Sequence, residues 1–188
     1  MGRVAMSVIT RSWLSFAAIG AGVIHLALVI SSPLAIGALL VLFGVAELAW
    51  GVSILVTDRL LVPRLAHAGA IAPLLLWSLL TVTATLLSAP QIASSLRFVP
   101  MGIAVIFELF VAGVLGLTLR RQCEPERQER AAKPVGAVKY LSAVILAGAL
   151  VGGLTTPALA ATQAGAVAME HGGTMGGMMT REMPVTGH

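Results

Sequence analysis

Residues Leu34–Thr57 read LAIGALLVLFGVAELAWGVSILVT, 24 positions with one ionisable side chain, Glu47. A helix rises about 1.5 Å per residue, so about 20 apolar residues cross the hydrocarbon core of a bilayer. A helix satisfies its own backbone hydrogen bonds in lipid, which an open sheet cannot do. Working outward, the chain repeats the pattern four times. Ser12–Ser31 precedes this run, and Leu65–Leu87, Val99–Leu119 and Val138–Leu159 follow it. The whole chain is 57% hydrophobic and 11% charged, with a mean hydropathy of +0.95. Soluble domains carry roughly 25% charged residues, so this chain has too little charge to cover a surface in water. The expected fold is all-α, a polytopic transmembrane helical bundle with about five membrane-spanning helices.

The connectors fit that division. Ser31-Ser32-Pro33 makes a tight turn, in which Ser32 is placed to cap the second helix and Pro33 suits its first position. Lysines and arginines report orientation, because they are retained on the cytoplasmic side. Arg3, Arg11, Arg59, Arg64, Arg120, Arg121, Arg127, Arg130, Lys133 and Lys139 fall on one side of the spans; only Arg97 and Arg181 fall on the other. This predicts a cytoplasmic N-terminus and an external C-terminus in a multi-pass protein of a bacterial plasma membrane. Residues 1–120 form a four-helix core of two hairpins and 121–137 a charged cytoplasmic linker. Residues 138–160 are the fifth helix and 161–188 a flexible external tail rich in Met, His and Gly. The fifth span also reads as a signal peptide with a small-residue site at Ala158-Leu159-Ala160; a retained helix is the simpler reading.

The second and fourth spans echo each other around an acid. One reads Phe43-Gly-Val-Ala-Glu47-Leu-Ala-Trp50, the other Val105-Ile-Phe-Glu108-Leu-Phe-Val. A duplicated hairpin and chance similarity between low-diversity membrane helices explain this about equally well. With Ala21-Gly-Val-Ile-His25-Leu26 and the two glutamate-bearing spans, the first 120 residues or so resemble a group of small multi-pass membrane proteins of actinobacteria. The resemblance implies a small helical bundle and no established activity. Related chains often carry a proline-glutamate-histidine motif after the first span. Here Ser31-Ser32-Pro33 stands in that place, so no site is carried over.

Inside the spans, the acids are Glu47 and Glu108, and His25 is the deepest histidine. An ionisable group within a bilayer is costly and is a functional candidate by default. Counted from the span edges by helical rise, His25 lies about 9 Å, Glu108 about 14 Å and Glu47 about 20 Å below the outer edge. His25 and Glu108 are therefore placed to pair. Glu47 is poorly matched, and the three are not expected to form a compact metal site. A relay of protons or cations competes here with plain interhelical hydrogen bonding, worth about 0.6 kcal/mol per bond. His67, beside Arg64, reads as an interfacial histidine. Thr81 and Thr85 share a face that either lines a polar interior or bonds back to its own helix.

The tail has a different chemistry. Five of the eight methionines and two of the four histidines fall within Met169–His188, among glycines. Apolar packing does not explain methionine there. Thioethers are soft ligands that need no deprotonation, and with imidazole they suit Cu(I). The candidate metal ligands are His171, Met175, Met178, Met179, Met183 and His188. Cys123 is the single cysteine, so an intrachain disulfide is excluded.

No phosphate-binding glycine loop, cysteine pair, metalloprotease helix or serine–histidine–acid set is present. The expectation is a non-enzymatic membrane protein. Copper handling through the tail ranks first and an accessory subunit of a membrane complex second. A small proton-coupled transporter using His25, Glu47 and Glu108 ranks third. The implied partners are the bilayer, a copper ion and another membrane protein or a second copy of the chain, with no nucleic acid.

Overall fold

The computed structural model describes residues 6–57, 59–87, 97–121 and 136–176. Among these residues there are six helices and no strand. They are α1 (Val8–Leu28), α2 (Leu34–Thr57), α3 (Pro63–Leu86), α4 (Phe98–Arg121), α5 (Ala137–Ala160) and α6 (Gln163–Gly176). The first five are long and apolar enough to cross a membrane. The expected all-α bundle is therefore what the chain forms.

Local chemistry sets the helix ends. α1 starts earlier than its apolar run because Ser7 caps it, its Oγ accepting from the Thr10 backbone N–H at 3.1 Å. Its far end tightens into a 3-10 turn, Val29–Ser31. Ser32 does not cap α2 as expected. Its hydroxyl donates back to the Leu28 carbonyl at 2.8 Å, satisfying one of the carbonyls that every helix end leaves without a partner. Pro33 stands just before α2, its carbonyl accepting the first bond of the helix from the Gly37 N–H. α3 opens with Pro63 at its first position after Val62, which has a φ of 41°. A β-branched residue in the left-handed region is strained. The preceding carbonyl, of Leu61, accepts from Trp50 Nε1 at 2.9 Å, which ties the α2–α3 turn to α2.

α1 is the axis of the bundle. It touches α2, α4 and α5, while α3 packs against α4 and barely meets α2. Of the most apolar window of α1, 56% is buried, against 17% for α2 and 11% each for α3 and α5. The peripheral helices thus turn apolar side chains such as Leu42, Leu55, Leu75, Leu79 and Ile145 outward. Lipid is the medium in which such faces cost nothing.

The closest approach is between α1 and α2. Gly37, Gly44 and Gly51 are buried and recur every seven residues, which keeps them on one face of α2. A Cβ at Gly22 would stand 2.8 Å from the Gly44 carbonyl oxygen, and one at Gly44 would stand 2.9 Å from that of Gly22. One at Gly51 would lie 3.0 Å from the Ser15 carbonyl oxygen. The buried Ser15 hydroxyl donates to the Gly51 carbonyl at 2.5 Å. With no hydrophobic force between helices in lipid, such backbone approach is what holds them. Gly44→Val is therefore expected to lower stability by about 1–3 kcal/mol through overpacking. Gly113, on α4, meets nothing within 4 Å. Gly113→Ala is expected to be neutral or to gain up to about 1 kcal/mol from helix propensity. Unfolding in detergent separates the two, and equal midpoints would contradict the seam.

α5 ends at Ala160, where Arg97 donates through a guanidinium N–H to the Ala161 carbonyl at 2.8 Å. A cation suits a helix C-terminus. The chain turns at the buried Thr162, whose hydroxyl accepts from the Gly165 N–H, and continues into α6. The tail expected to be flexible from residue 161 is helical through Gly176. Its first stretch, Gln163-Ala-Gly-Ala-Val-Ala-Met-Glu170, is alanine-rich, and α6 packs against α1 and α5. The charged linker, including Cys123, lies outside the described residues except at its two ends.

Candidate functional site

His25 sits on the last turn of α1, where Ala21 and Gly22, one turn earlier, leave space beside it. Side chains on a helix lean toward its N-terminus and meet those three and four residues away. Glu47 lies between Gly44 and Gly51 of the glycine face, which brings its stem against α1. Glu108 lies in the middle of a buried stripe on α4, Met101, Ala104, Glu108, Val111 and Leu115. Both acids therefore occupy positions at which the helix pattern calls for an apolar residue.

The three side chains meet. His25 Nδ1 is 2.9 Å from Glu47 Oε2, and His25 Nε2 is 3.3 Å from Glu108 Oε1. One ligand atom from each of the three residues falls within 4.8 Å of the others. The His25 side chain is wholly buried, that of Glu108 is 2% exposed and that of Glu47 is 14% exposed. The Nδ1 contact is a hydrogen bond. The Nε2 contact is not aligned as one, and Nε2 and both Glu108 oxygens are buried without a hydrogen-bond partner. Around them the surroundings are apolar, with the Phe43 ring 6.5 Å from that of His25, centroid to centroid.

This corrects the depth argument made from span edges, which separated Glu47 from His25 and denied a compact cluster. Two effects close the gap. Gly22 faces Gly44 and Leu48, and Ile19 faces Gly51, so His25 is level with about Phe43. Glu47 is then one helical turn further along, about 6 Å by helical rise instead of about 11 Å. α1 and α2 are also antiparallel, so the His25 and Glu47 side chains lean toward each other along the axis. The expected pairing of His25 with Glu108 is present. The sequence signal for this register is the seven-residue glycine spacing around Glu47.

The triad stands between two cavities. A cavity of about 380 Å³ lies between α2, α3 and α4 and extends to Val62 in the α2–α3 turn; Glu47 and Glu108 line it with Ala18, Phe43, Trp50 and Leu65. A second, of about 30 Å³, lies toward the α1–α2 turn, lined by His25, Leu40, Phe43, Pro73, Trp77 and Met101. Its size suits a single water. The carboxylates thus face one side of the bundle and the imidazole reaches the other. An imidazole with a carboxylate at each nitrogen can accept a proton at one and release it at the other, or present one nitrogen to a cation while a carboxylate holds the other.

Other polar residues resolve simply. Thr81 donates to the Trp77 carbonyl and Thr85 to that of Thr81, so this face bonds back to its own helix. His67 packs on Gly116 of α4, and its Nδ1 is buried without a hydrogen-bond partner. Of the expected tail ligands, His171 and Met175 fall within α6, and Met178, Met179, Met183 and His188 lie outside the described residues. No family model, curated protein or solved structure matches the chain significantly.

Proposed function

We propose that this non-enzymatic integral membrane protein is a small proton-coupled transporter, with His25, Glu47 and Glu108 as its cation-handling centre. The observation that carries the reading is the buried triad set between two cavities. Plain interhelical hydrogen bonding would leave fewer polar atoms unsatisfied than the Glu108 carboxyl and His25 Nε2 do. In the orientation given by the basic residues, the large cavity faces the cytoplasm of a bacterial cell and the small one faces outward. The test is proton flux into proteoliposomes under an imposed pH gradient, with and without added divalent cations, followed with a trapped pH dye. Flux above that of empty vesicles is expected, and flux at the empty-vesicle level would reject the reading.

The methionine enrichment of Met169–His188 favours a second role, Cu(I) capture at the outer face by His171, Met175, Met178, Met179, Met183 and His188. Cu(I) titration of the full chain beside a version ending at Ala161 tests it. Copper bound by the full chain should be lost on truncation; equal stoichiometry in both forms would remove the tail from the account.

A further inference from the structure

We infer that the triad is a binding site for one divalent first-row transition cation, reached from the α2–α3 end of the bundle. The inference deepens the transport reading by naming its substrate class, and rests on it only for the movement, not for the binding.

Three observations converge. The first is the donor set. One imidazole nitrogen and two carboxylates suit Zn(II), Mn(II) or Fe(II), and they lack the soft sulfur that selects Cu(I). The second is geometry. His25 Nε2 and Glu108 Oε1 are 3.3 Å apart yet not hydrogen-bonded. Two ligands on a tetrahedral ion with bonds of about 2.0–2.1 Å are separated by about 3.3–3.4 Å, close to that distance. Glu47 Oε2 lies 2.9 Å from Nδ1, so joining the ion held at Nε2 means exchanging that hydrogen bond for the metal. The three ligand atoms need to draw in from a spread of 4.8 Å, within the reach of rotamer changes in two glutamates. The third is charge and access. Two carboxylates and a neutral imidazole carry a charge of −2, which one divalent cation cancels, and a net charge is what the bilayer interior penalises. Glu47 and Glu108 both line the cavity of about 380 Å³, which has room for the ion, its remaining water and a path in. Binding replaces protons held on the triad, which leave by the same cavity.

Glu108 is deeply buried, and its two oxygens have no other partner to explain them. That separates the triad from a surface cluster of acids, where solvent would satisfy every oxygen.

The test uses the full-length protein in detergent, stripped with chelator and titrated with Zn²⁺ and with Co²⁺, beside full-length Glu108→Gln. Binding by the tail is common to both and cancels in the comparison. The wild type should take up one more equivalent of metal per chain than the variant. Its Co²⁺ complex should show the intense visible bands of a four-coordinate ion. At this site the variant should bind at least about 100-fold more weakly, beyond the effect of losing an outer-shell partner. Wild type and variant with equal stoichiometry and equal spectra would overturn the inference. So would binding that survives in Glu47→Gln and Glu108→Gln alike, which also guards against one misfolded variant. Proton flux in proteoliposomes, measured on the same preparations with and without Zn²⁺ or Co²⁺, separates the two claims. Flux without metal binding overturns the metal site and leaves the transporter; metal binding without flux supports the site and rejects transport.

Discussion

Glu108→Gln is expected to abolish proton flux while leaving the fold as stable as before, or more stable. Glutamine keeps the shape of glutamate, so the stripe from Met101 to Leu115 still packs. It cannot bind and release a proton, so the step on the Nε2 side of His25 is lost. Flux should fall at least about 100-fold, in line with the 10²–10⁴-fold that a placed acid or base contributes. Stability moves the other way because neither Glu108 oxygen has a hydrogen-bond partner. An unsatisfied buried polar group costs about 1–3 kcal/mol, more if charged, and replacing it with a neutral amide relieves part of that. Loss of activity with retained or raised stability is the mark of a residue kept for function at the expense of stability. The measurement pairs flux in proteoliposomes with the unfolding midpoint in detergent. A variant that keeps its flux would remove Glu108 from the mechanism. One that loses flux because it unfolds would make it a structural residue.

His25→Leu is expected to be the most destabilising single change in the bundle. The histidine touches both acids, at 2.9 Å and 3.3 Å, and is wholly buried. Without it, Glu47 and Glu108 face each other in an apolar setting with no donor between them. Removing one partner from a buried ionic cluster costs about 3–5 kcal/mol, because the charge left behind has no compensation. Adding Glu108→Gln to His25→Leu removes one of the two stranded carboxylates and should recover part of that loss. A double mutant cycle measures this coupling, and residues in contact couple by about 0.5–3 kcal/mol. Strict additivity would mean that His25 and Glu108 do not interact.

Much of the bundle was legible in the sequence, because span length and apolarity are strong signals. The bounds of α2 were readable to the residue, since Pro33 and Thr57-Asp58 bracket a run with one charge. α1 was placed too short because its N-terminal turn is held by a serine cap, a local hydrogen bond that apolarity does not report. Pairing of His25 with Glu108 followed from depth alone, as both lie near the same level of their helices. Glu47 was misplaced because depth counts Cα positions from loop edges. The real meeting point depends on the register between α1 and α2 and on the direction in which side chains lean. The register was written in Gly37, Gly44 and Gly51, whose seven-residue period marks a face built for close contact. The tail ligands raise a different issue. Their candidacy rests on composition, and composition gives no register or direction from which a site geometry follows.

The echo between the two acidic segments gains a physical meaning from the site. α2 and α4 run in the same direction through the bundle, each presenting one glutamate, and both glutamates reach one imidazole. A duplicated hairpin would produce such an arrangement: Ala21-Gly-Val-Ile-His25 of the first copy would match Ala68-Gly-Ala-Ile-Ala72 of the second, with the histidine kept only in the first.

One buried histidine bridges two glutamates on different helices, one at each ring nitrogen. Nitrogen-15 spectra of histidine-labelled protein in lipid, compared across wild type, Glu47→Gln and Glu108→Gln, test this bridge most directly. Glu47→Gln is expected chiefly to move the Nδ1 resonance of His25, and Glu108→Gln chiefly that of Nε2. A His25 spectrum that neither substitution perturbs would contradict the bridge, and with it both the relay and the metal site.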